Sequence, residues 1–243
     1  MNKILVIGDS CVDSYTYCKV KRLAPDKPVP VLEVDRVEKT PGMAYNTFQN
    51  IKSLTMSCDL LTNENWQLII KNRYVDVKSN HMFVRVDEGQ QVPPAYYEDK
   101  IFQYETIIIS DYDKGFLQKK DIQYICSNHD QVFLDTKKPL GKWARDAKFI
   151  KINEDEYQKS KDYIDEYLND KVIKTIGDEG CIYLGKTYPV KEKYEVIDVS
   201  GAGDAFMAAL AFNYTNTQNI EESLLFANEC ASKVVSHKGM TVI

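Results

Sequence analysis

The sequence has no apolar run long enough to cross a membrane and no run of basic residues of the kind that binds nucleic acid. Its first apolar stretch, Ile4–Ile7, follows Met1-Asn2-Lys3 directly and is too short for the core of a signal peptide. The net charge of −5 also argues against nucleic acid as the main partner. We therefore expect a cytoplasmic protein that binds neither membranes nor nucleic acids.

Metal-binding and redox spacings are missing as well. None of the six cysteines forms a Cys-x-x-Cys pair, and the three histidines are scattered without the spacing of metal ligands. A chain of 243 residues, of which 44% are hydrophobic, can bury a sizeable core without disulfides. We expect reduced thiols and neither a zinc site nor a redox motif.

The common nucleotide-binding fingerprints are absent too. The first predicted strand is followed by Gly8-Asp9-Ser10-Cys11, which is not the Gly-x-Gly-x-x-Gly of a dehydrogenase. The chain has no Gly-x-x-x-x-Gly-Lys-Ser/Thr segment and no protein-kinase signature. Dehydrogenases, P-loop enzymes and protein kinases are thereby excluded.

Short apolar runs alternate with amphipathic stretches along the chain. Runs of this length are typical of strands that are buried on both faces of a parallel sheet. Helical stripes recur between Ala44 and Leu54 and between Ile220 and Val234. The alternation predicts one doubly wound α/β domain over residues 1–243. The strand candidates are Ile4–Ile7, Thr106–Ile109, Gln131–Leu134, Lys148–Ile152 and Lys171–Ile176.

Two β-like segments, Tyr15–Val20 and Val29–Val37, precede the first long helix and break this rhythm. We expect a β excursion from the main sheet at about residues 14–38. It could cover a site or pair with another subunit, or it could be a surface hairpin without a role. Lys71–Glu88 has further strand-like residues.

Small or acidic polar residues follow the predicted strands. Ligands of open α/β sheets bind beyond the carboxyl ends of the strands, so these residues should share one edge. Their placement predicts an acidic cleft that tolerates metal ions. They are Gly8-Asp9, Ser110-Asp111, Asp135, Asn153 and Gly177-Asp178.

The strongest signal is the nonapeptide Asp198–Phe206, in which Gly201-Ala202-Gly203 leads into an apolar helix. Glycines let backbone N–H groups approach an anion, and the positive end of a helix favours negative charge. This suits a phosphoryl group in transfer. Asp204, at the helix start, can accept a proton from an attacking hydroxyl. The plainer interpretation is that Asp204 only complements the helix dipole and that the glycines form a turn.

This nonapeptide resembles the second signature of the PfkB, or ribokinase-like, carbohydrate kinases. Within that family the resemblance is nearest to the D-glycero-D-manno-heptose-7-phosphate kinases. It implies a doubly wound, mostly parallel sheet flanked by helices, with a small β lid. Other matching stretches run through most of the chain: Gly8–Asp13, Pro25–Val31, Thr40–Asn46, Ser110–Gly115, Leu134–Lys137, Asn153–Glu156, Thr175–Gly180 and Phe226–Asn228.

On the nucleotide side, the resemblance implies that Asn153 and Glu156 organise Mg²⁺ and the phosphates of ATP, Glu156 through water. Asn-x-x-Glu after a strand is also a capping box, which is the structural alternative. The family further places Thr175, Gly177 and Gly180 around the nucleotide, where a plain turn is the alternative. Asn228 is implied near the adenine, or else it is a solvent-facing helix residue.

On the sugar side, the resemblance carries over Asp13, Gly42 and Asn46, and polar side chains of these types suit sugar hydroxyls. Asp13 could equally cap a loop. Lys114 and Lys137 follow strand ends and could hold a substrate phosphate, although exposed lysines are usually only solvated. The excursion at residues 14–38 matches the lid of the family, which forms a dimer contact in several members, so we expect a homodimer.

The chain departs from the family pattern in three places. The first signature normally has two adjacent glycines, and here the second is Met43. The stretch from about Thr55 to Arg73 is shorter than in typical members, so we expect that a strand–helix unit is lost. The chain also ends at Ile243, soon after the helix on the adenine side.

The sequence therefore predicts a kinase that transfers phosphate from ATP, with Mg²⁺, to a hydroxyl of a sugar or sugar phosphate, with a heptose 7-phosphate-like substrate favoured. Asp204 is the expected base, and the loop Gly201–Gly203 the expected anion hole. Two alternatives stay open. One is a nucleoside kinase of the same fold. The other is a trimmed, non-catalytic protein that binds a sugar or a nucleotide, an option motivated by the departures.

Overall fold

Two β-sheets organise the protein in a computed structural model, which describes residues 3–89, 91–192, 194–237, 239 and 241–243. The strands, in chain order, are β1 (Ile4–Gly8), β2 (Ser10–Leu23), β3 (Pro30–Met43), β4 (Cys58–Thr62), β5 (Ile70–Asp76), β6 (Met82–Glu88), β7 (Thr106–Asp111), β8 (Val132–Thr136), β9 (Phe149–Ile152), β10 (Val172–Thr175), β11 (Cys181–Tyr183) and β12 (Lys186–Tyr188).

The larger sheet has the strand order β12-β11-β10-β9-β8-β7-β1-β4. All pairings from β4 to β10 are parallel, and only β10–β11 and β11–β12 are antiparallel. Every residue of β1, β7, β8 and β9 is buried, as a parallel sheet covered on both faces requires. The five strands predicted from apolar runs and the mostly parallel sheet are thus confirmed.

Six α-helices are described: α1 (Ala44–Leu54), α2 (Lys119–Ser127), α3 (Glu154–Ser160), α4 (Glu166–Asn169), α5 (Ala202–Thr217) and α6 (Ile220–Val235). Helices α1, α5 and α6 share one apolar cluster with side chains of the sheet, and α2 joins a second cluster with the alternate side chains of the same strands. Each residue of the run Ala205–Ala211 in α5 is buried. A helix that is apolar all round belongs in the interior, so the start of α5 is held firmly.

The smaller sheet, with the order β3-β2-β5-β6, is the lid. It is longer than the excursion predicted at residues 14–38, because β2 begins at Ser10, with only Asp9 between it and the end of β1. The strand-like stretch Lys71–Glu88 supplies β5 and β6. Because neighbouring side chains of a strand alternate between faces, the pairing register assigns Asp13, Tyr15, Lys71 and Arg73 to one face. We call it the inner face.

The segment between Thr55 and Arg73 differs from the expectation of a lost strand–helix unit. The strand is present, because β4 pairs in parallel with β1 at the edge of the large sheet. Beyond it, the described chain has only a short 3-10 turn at Trp66–Leu68 before β5. The described segment thus contains a strand and a 3-10 turn but no α-helix.

None of the helices in the described part of the chain is both long and apolar enough to span a membrane.

Candidate active site

The predicted phosphate-binding loop lies at the first turn of α5. Gly201 adopts the left-handed conformation with φ of 82°, which favours glycine, and α5 begins at Ala202. Just before it, the backbone N–H of Ser200 donates to Asp198 Oδ1 at 2.9 Å. A Cβ on Gly203 would lie 2.9 Å from Lys151 Nζ, so the space there is already filled by a cation. The loop therefore offers helix-start amides with an ammonium group close by.

Asp204 is 4% exposed and accepts three hydrogen bonds. Its Oδ2 accepts from Asn46 Nδ2 at 2.8 Å. Its Oδ1 accepts from Tyr112 Oη at 2.7 Å and from Thr47 Oγ1 at 3.3 Å. Burial raises the pKa of the Asp204 carboxyl, and the hydrogen bonds from Asn46 and Tyr112 oppose that rise. A buried carboxylate with a raised pKa suits a proton acceptor.

Asn46 and Gly42 were both predicted on the sugar side. Asn46 contacts Asp204, and Gly42 lies in the lid strand β3. Asn46, in the first turn of α1, is buried and reaches Asp204 directly. Gly42 pairs with Cys11 across β2 and β3, and a Cβ there would lie 1.8 Å from Asp13 Oδ2. Gly42 is thus required for the position of Asp13. Asp13 itself forms an ion pair with Arg73 on the inner face of the lid.

Basic side chains surround the ring of Tyr112. Lys71 Nζ lies 4.9 Å and Lys137 Nζ 5.2 Å from the centroid of that ring. The hydrogen bond from Arg85 lowers the pKa of the Asp87 carboxyl in the lid, and the charges of Lys71 and then Lys114 lower it further. Three lysines therefore form one basic region below the lid. Lys114 and Lys137 were predicted there, and Lys71 was not.

Asn153 and Glu156 form the capping box that the sequence allowed as an alternative. The Asn153 side chain accepts from the Glu156 N–H at 2.9 Å, and Glu156 Oε2 accepts from the Asn153 N–H at 2.9 Å. The other oxygen of Glu156 pairs with Lys137. Lys137 therefore lies between the capping box and Tyr112.

The bonds of Glu156 decide how a divalent cation would fit this site. Within the described ranges, no cluster of three or more His, Cys, Asp or Glu side chains could hold a metal ion. Mg²⁺ usually takes one or two carboxylates, keeps several waters and completes its shell with substrate phosphates. With both oxygens already bonded, Glu156 fits a water-mediated role beside nucleotide phosphates rather than a protein-only site.

A cavity of about 260 Å³ opens beside the start of α5. Four residues predicted around the nucleotide line it together with the predicted loop, and most of the remaining lining is apolar. An apolar cleft with a few polar groups is the usual form of a small-molecule site. The predicted residues on its wall are Thr175, Gly177, Gly180, Asn228, Ala202 and Gly203.

The turn predicted as the alternative for Gly177 and Gly180 is also present, since both have positive φ in the connection of β10 to β11. A Cβ on Gly180 would lie 2.2 Å from the Tyr188 carbonyl oxygen. Asn228 is 3% exposed and donates to that same oxygen at 2.8 Å. The solvent-facing alternative for Asn228 is therefore wrong, because this buried bond ties α6 to the strand hairpin.

Several site residues were missed by sequence reasoning. Lys151 is 3% exposed and pairs with Asp135 at 2.6 Å, although it was predicted only as part of an apolar strand. Asp135 Oδ1 is buried and has no hydrogen-bond partner among the described residues. Tyr112 lay within a matched stretch but was not singled out. The one local signal for the ion pair of Lys151 was a lysine within a strand predicted to be buried, because a fully buried charge needs a partner.

A glycine loop and a buried carboxylate at a helix start suit a phosphotransferase with a hydroxyl acceptor, and this is the class to which the family match assigns the chain. Residues 73–242 match the model of the pfkB family carbohydrate kinases. The chain belongs to this family, as the resemblance in the sequence implied.

Curated relatives extend the match over nearly the whole chain. The protein named Bifunctional protein HldE is 29% identical in Nitratiruptor sp., over 98% of this chain and 62% of the relative. The protein of the same name in Helicobacter pylori strain J99 is also 29% identical, over 98% of this chain and 64% of the relative. The chain thus spans less than two thirds of the length of these relatives.

Solved structures share the fold at low sequence identity. Ribokinase from Thermotoga maritima superposes with a TM-score of 0.75 at 15% identity, covering 99% of this chain and 95% of that one. A nucleoside kinase from Methanocaldococcus jannaschii gives 0.73 at 20% identity, over 99% and 93% of the two chains. Phosphofructokinase-2 from Escherichia coli gives 0.70 at 13%, over 100% and 95%. The predicted ribokinase-like α/β fold is confirmed.

Proposed function

We propose that this carbohydrate kinase uses ATP to phosphorylate a hydroxyl of a sugar phosphate, with a heptose 7-phosphate-like substrate favoured. The observation that carries the proposal is the position of Asp204. Its buried carboxylate lies at the start of α5, between the cavity of about 260 Å³ on one side and the basic region below the lid on the other. A nucleotide and a sugar bound in these two places would meet at Asp204.

The chemistry follows from that position. The acceptor hydroxyl gives its proton to Asp204 as its oxygen attacks the γ-phosphorus, and ADP leaves. The backbone amides of Gly201–Gly203 and the positive end of α5 stabilise the charge on the transferring group. Asn46 holds the carboxylate by its Oδ2 at 2.8 Å, so the acceptor hydroxyl approaches Oδ1, which in the structure accepts from Tyr112 and Thr47. Positioning and electrostatics thus supply the catalysis.

The nucleotide occupies the apolar cavity lined by Thr175, Gly177, Gly180 and Asn228. Mg²⁺, when bound with the phosphates, neutralises their charge. Asn153 and Glu156 would hold it through water, and Lys137 beside Glu156 would add a positive charge. The cytoplasm is the proposed location, because the six cysteines are free thiols and suit a reducing compartment.

The preference for a phosphorylated sugar rests on charge. Lys71, Lys114, Lys137 and Arg73 gather around the region that Asp13 and Asn46 enter. Carboxylates and amides bind sugar hydroxyls, whereas a free sugar gives no reason for several cations. Lys and Arg are the residues that recognise phosphate.

The proposed homodimer would form through the lid. The face of the lid opposite the inner face, which we call the outer face, carries exposed valines. They are Val34 (59% exposed), Val37 (50%), Val84 (47%) and Val86 (41%). Exposed apolar side chains on the edge strands of a sheet tend to find a partner. A second copy of the lid, of the same shape and character, is the occupant we propose, through a self-complementary contact.

The deciding experiment is phosphate transfer from Mg-ATP to a panel of sugars, sugar phosphates and nucleosides. We expect turnover of a heptose or hexose phosphate above that of every free sugar. Turnover of adenosine or free ribose far above all sugar phosphates would favour the nucleoside-kinase alternative. Binding of ligands without any turnover would instead support the non-catalytic alternative.

A further inference from the structure

The phenol of Tyr112 occupies the oxygen of Asp204 that the substrate should use. Tyr112 Oη donates to Asp204 Oδ1 at 2.7 Å, while Oδ2 is bonded to Asn46. The only other donor recorded to Oδ1 within the described residues is Thr47, at a longer 3.3 Å. An acceptor hydroxyl that gives its proton to Asp204 must therefore take the place of the Tyr112 hydroxyl.

The position of Tyr112 is fixed from behind. The Tyr112 N–H donates to Asp9 Oδ2 at 2.7 Å, and the Phe116 N–H donates to Asp9 Oδ1 at 3.1 Å. Asp9 is fully buried directly after β1. The backbone at Tyr112 is thus anchored to the sheet, so the hydroxyl is presented to Asp204 by a rigid support. Motion of the side chain alone can release it.

We propose that the Tyr112 hydroxyl occupies the place of the acceptor hydroxyl until the sugar binds. In that place it keeps water away from Asp204 and so suppresses ATP hydrolysis in the absence of sugar. The inference rests on the proposed role of Asp204 as the base. In the reaction that is suppressed, a water oxygen attacks the γ-phosphorus, its proton passes to Asp204, and ADP leaves with inorganic phosphate as the product. Kinases in general need to exclude water, because water competes with the substrate hydroxyl as the acceptor of the phosphoryl group.

The cations around the ring give a route for its release. Lys71 and Lys137 lie 4.9 Å and 5.2 Å from the ring centroid, at distances where an ammonium group is attracted to an aromatic face. A phosphate on the incoming sugar draws these ammonium groups to itself. The ring then loses its partners as the sugar hydroxyl arrives to replace the phenol. Sugar-phosphate binding and exposure of the base are thereby coupled.

The test is Tyr112→Phe, which removes only the hydroxyl, assayed for ATP hydrolysis in the absence of sugar. We expect the hydrolysis rate to rise by about tenfold, the approximate worth of a hydrogen bond to a charged group. The KM for the best sugar of the panel should fall by a similar factor, because the sugar no longer displaces a bonded group. Tyr112→Leu, which lacks both ring and hydroxyl, should also raise sugar-independent hydrolysis and serves if the Phe variant does not fold.

The matched control is Tyr104→Phe. Tyr104 Oη donates to Asp59 Oδ2 at 2.6 Å, which is the same kind of bond in a remote and exposed place. This variant should leave both ATP hydrolysis and the KM for sugar unchanged. Unchanged or lower hydrolysis in both Tyr112 variants would overturn the inference.

A double variant separates this inference from the proposed function. Tyr112→Phe combined with Asp204→Asn should show no rise in ATP hydrolysis, because the base is gone. If Asp204→Asn alone abolishes sugar phosphorylation but Tyr112→Phe has no effect on ATP hydrolysis, Asp204 stays the base and only the proposed role of Tyr112 is overturned. If Asp204→Asn retains sugar phosphorylation, the proposed function of Asp204 fails first.

Discussion

Asn46 Nδ2 donates to Asp204 Oδ2 at 2.8 Å, which joins two helix starts that are 158 residues apart in the chain. The bond ties α1, which follows the lid strand β3, to α5, which carries the phosphate loop. A movement of the lid strands is therefore transmitted to the carboxylate. The acceptor side and the proposed phosphate side of the site are joined by this contact and by the longer bond from Thr47 of the same helix.

The first prediction concerns the base. Asp204→Asn keeps the shape of the side chain but removes the proton acceptor. We expect kcat to fall by about a hundred- to ten-thousand-fold, the usual contribution of a general base. The Kd for ATP should stay nearly unchanged. Rapid-quench or coupled assays of kcat, together with calorimetric binding of ATP, measure both quantities.

Thermal stability distinguishes this role from a structural one. Burial raises the folded-state pKa of Asp204 above its ordinary 3.8. For a raised pKa, the stabilising contribution is present below about pH 3.8 and lost as the pH rises through the folded-state value. At pH 7 the neutral Asn variant should therefore melt at a higher temperature than the wild type, and the difference should vanish in acid. If the free energy of unfolding of the variant falls by about 0.3–1 kcal/mol, the worth of a helix-dipole partner, while its kcat is unchanged, this prediction is contradicted.

The second prediction concerns the phosphate of the substrate. Lys71→Met removes a cation from the inner face of the lid. We expect KM for the sugar phosphate to rise by about 10- to 100-fold, from the loss of a charge-assisted hydrogen bond, with little effect on a free sugar. The matched control is Lys39→Met, because Lys39 pairs with Ser14 on the outer face of the same lid. Equal KM changes for phosphorylated and free sugars would rule out a phosphate contact.

Much of the fold was readable from the sequence because its signals are local. Fully buried parallel strands give continuous apolar runs, and α5 gives an apolar helix after a glycine loop, so both were predicted. The lid was predicted too short at 14–38, because β2 continues directly from the end of β1 without a break in pattern. Where a strand passes from one sheet to another, its residues alone carry no mark of the transition.

The contacts of the site were not readable for a different reason. Asp204 could be found from its own neighbours in sequence, but Asn46 and Tyr112 lie 158 and 92 residues away. Lys151 was hidden in an apolar run, because its partner Asp135 belongs to the adjacent strand β8. Such pairs are set by strand order, which local patterns do not specify.

The third prediction concerns assembly. Val84→Asp places a charge on the outer face of the lid. If the outer face forms the dimer, the variant should be monomeric at tens of micromolar, about the range of a weak association, where the wild type is dimeric. Light scattering measures this directly. Met56→Asp is the control, since Met56 is 79% exposed outside the lid and should not affect assembly. A wild-type monomer at that concentration would refute the dimer.

The fourth prediction concerns Met43, which replaces a glycine of the family pattern. Its φ of 62° and ψ of −132° lie close to a region that only glycine adopts readily. The side chain is nevertheless 2% exposed and packs with Cys11, Ile69 and the partly buried Tyr112. The position thus combines backbone strain, of about 1–3 kcal/mol, with side-chain burial that offsets it.

Two variants separate these opposing effects. Met43→Ala loses the packing and keeps the strain, whereas Met43→Gly loses the packing and relieves the strain. Glycine is ordinarily less stable than alanine inside an element by about 0.5–1 kcal/mol. Here we expect the order to be reversed, with the Gly variant more stable than the Ala variant by about 1 kcal/mol in urea unfolding. We also expect Met43→Gly to lower KM or to change the ranking of sugars, because it frees space beside Tyr112. An Ala variant more stable than the Gly variant would show an unstrained backbone, and an unchanged ranking and KM would show that Met43 does not face the sugar.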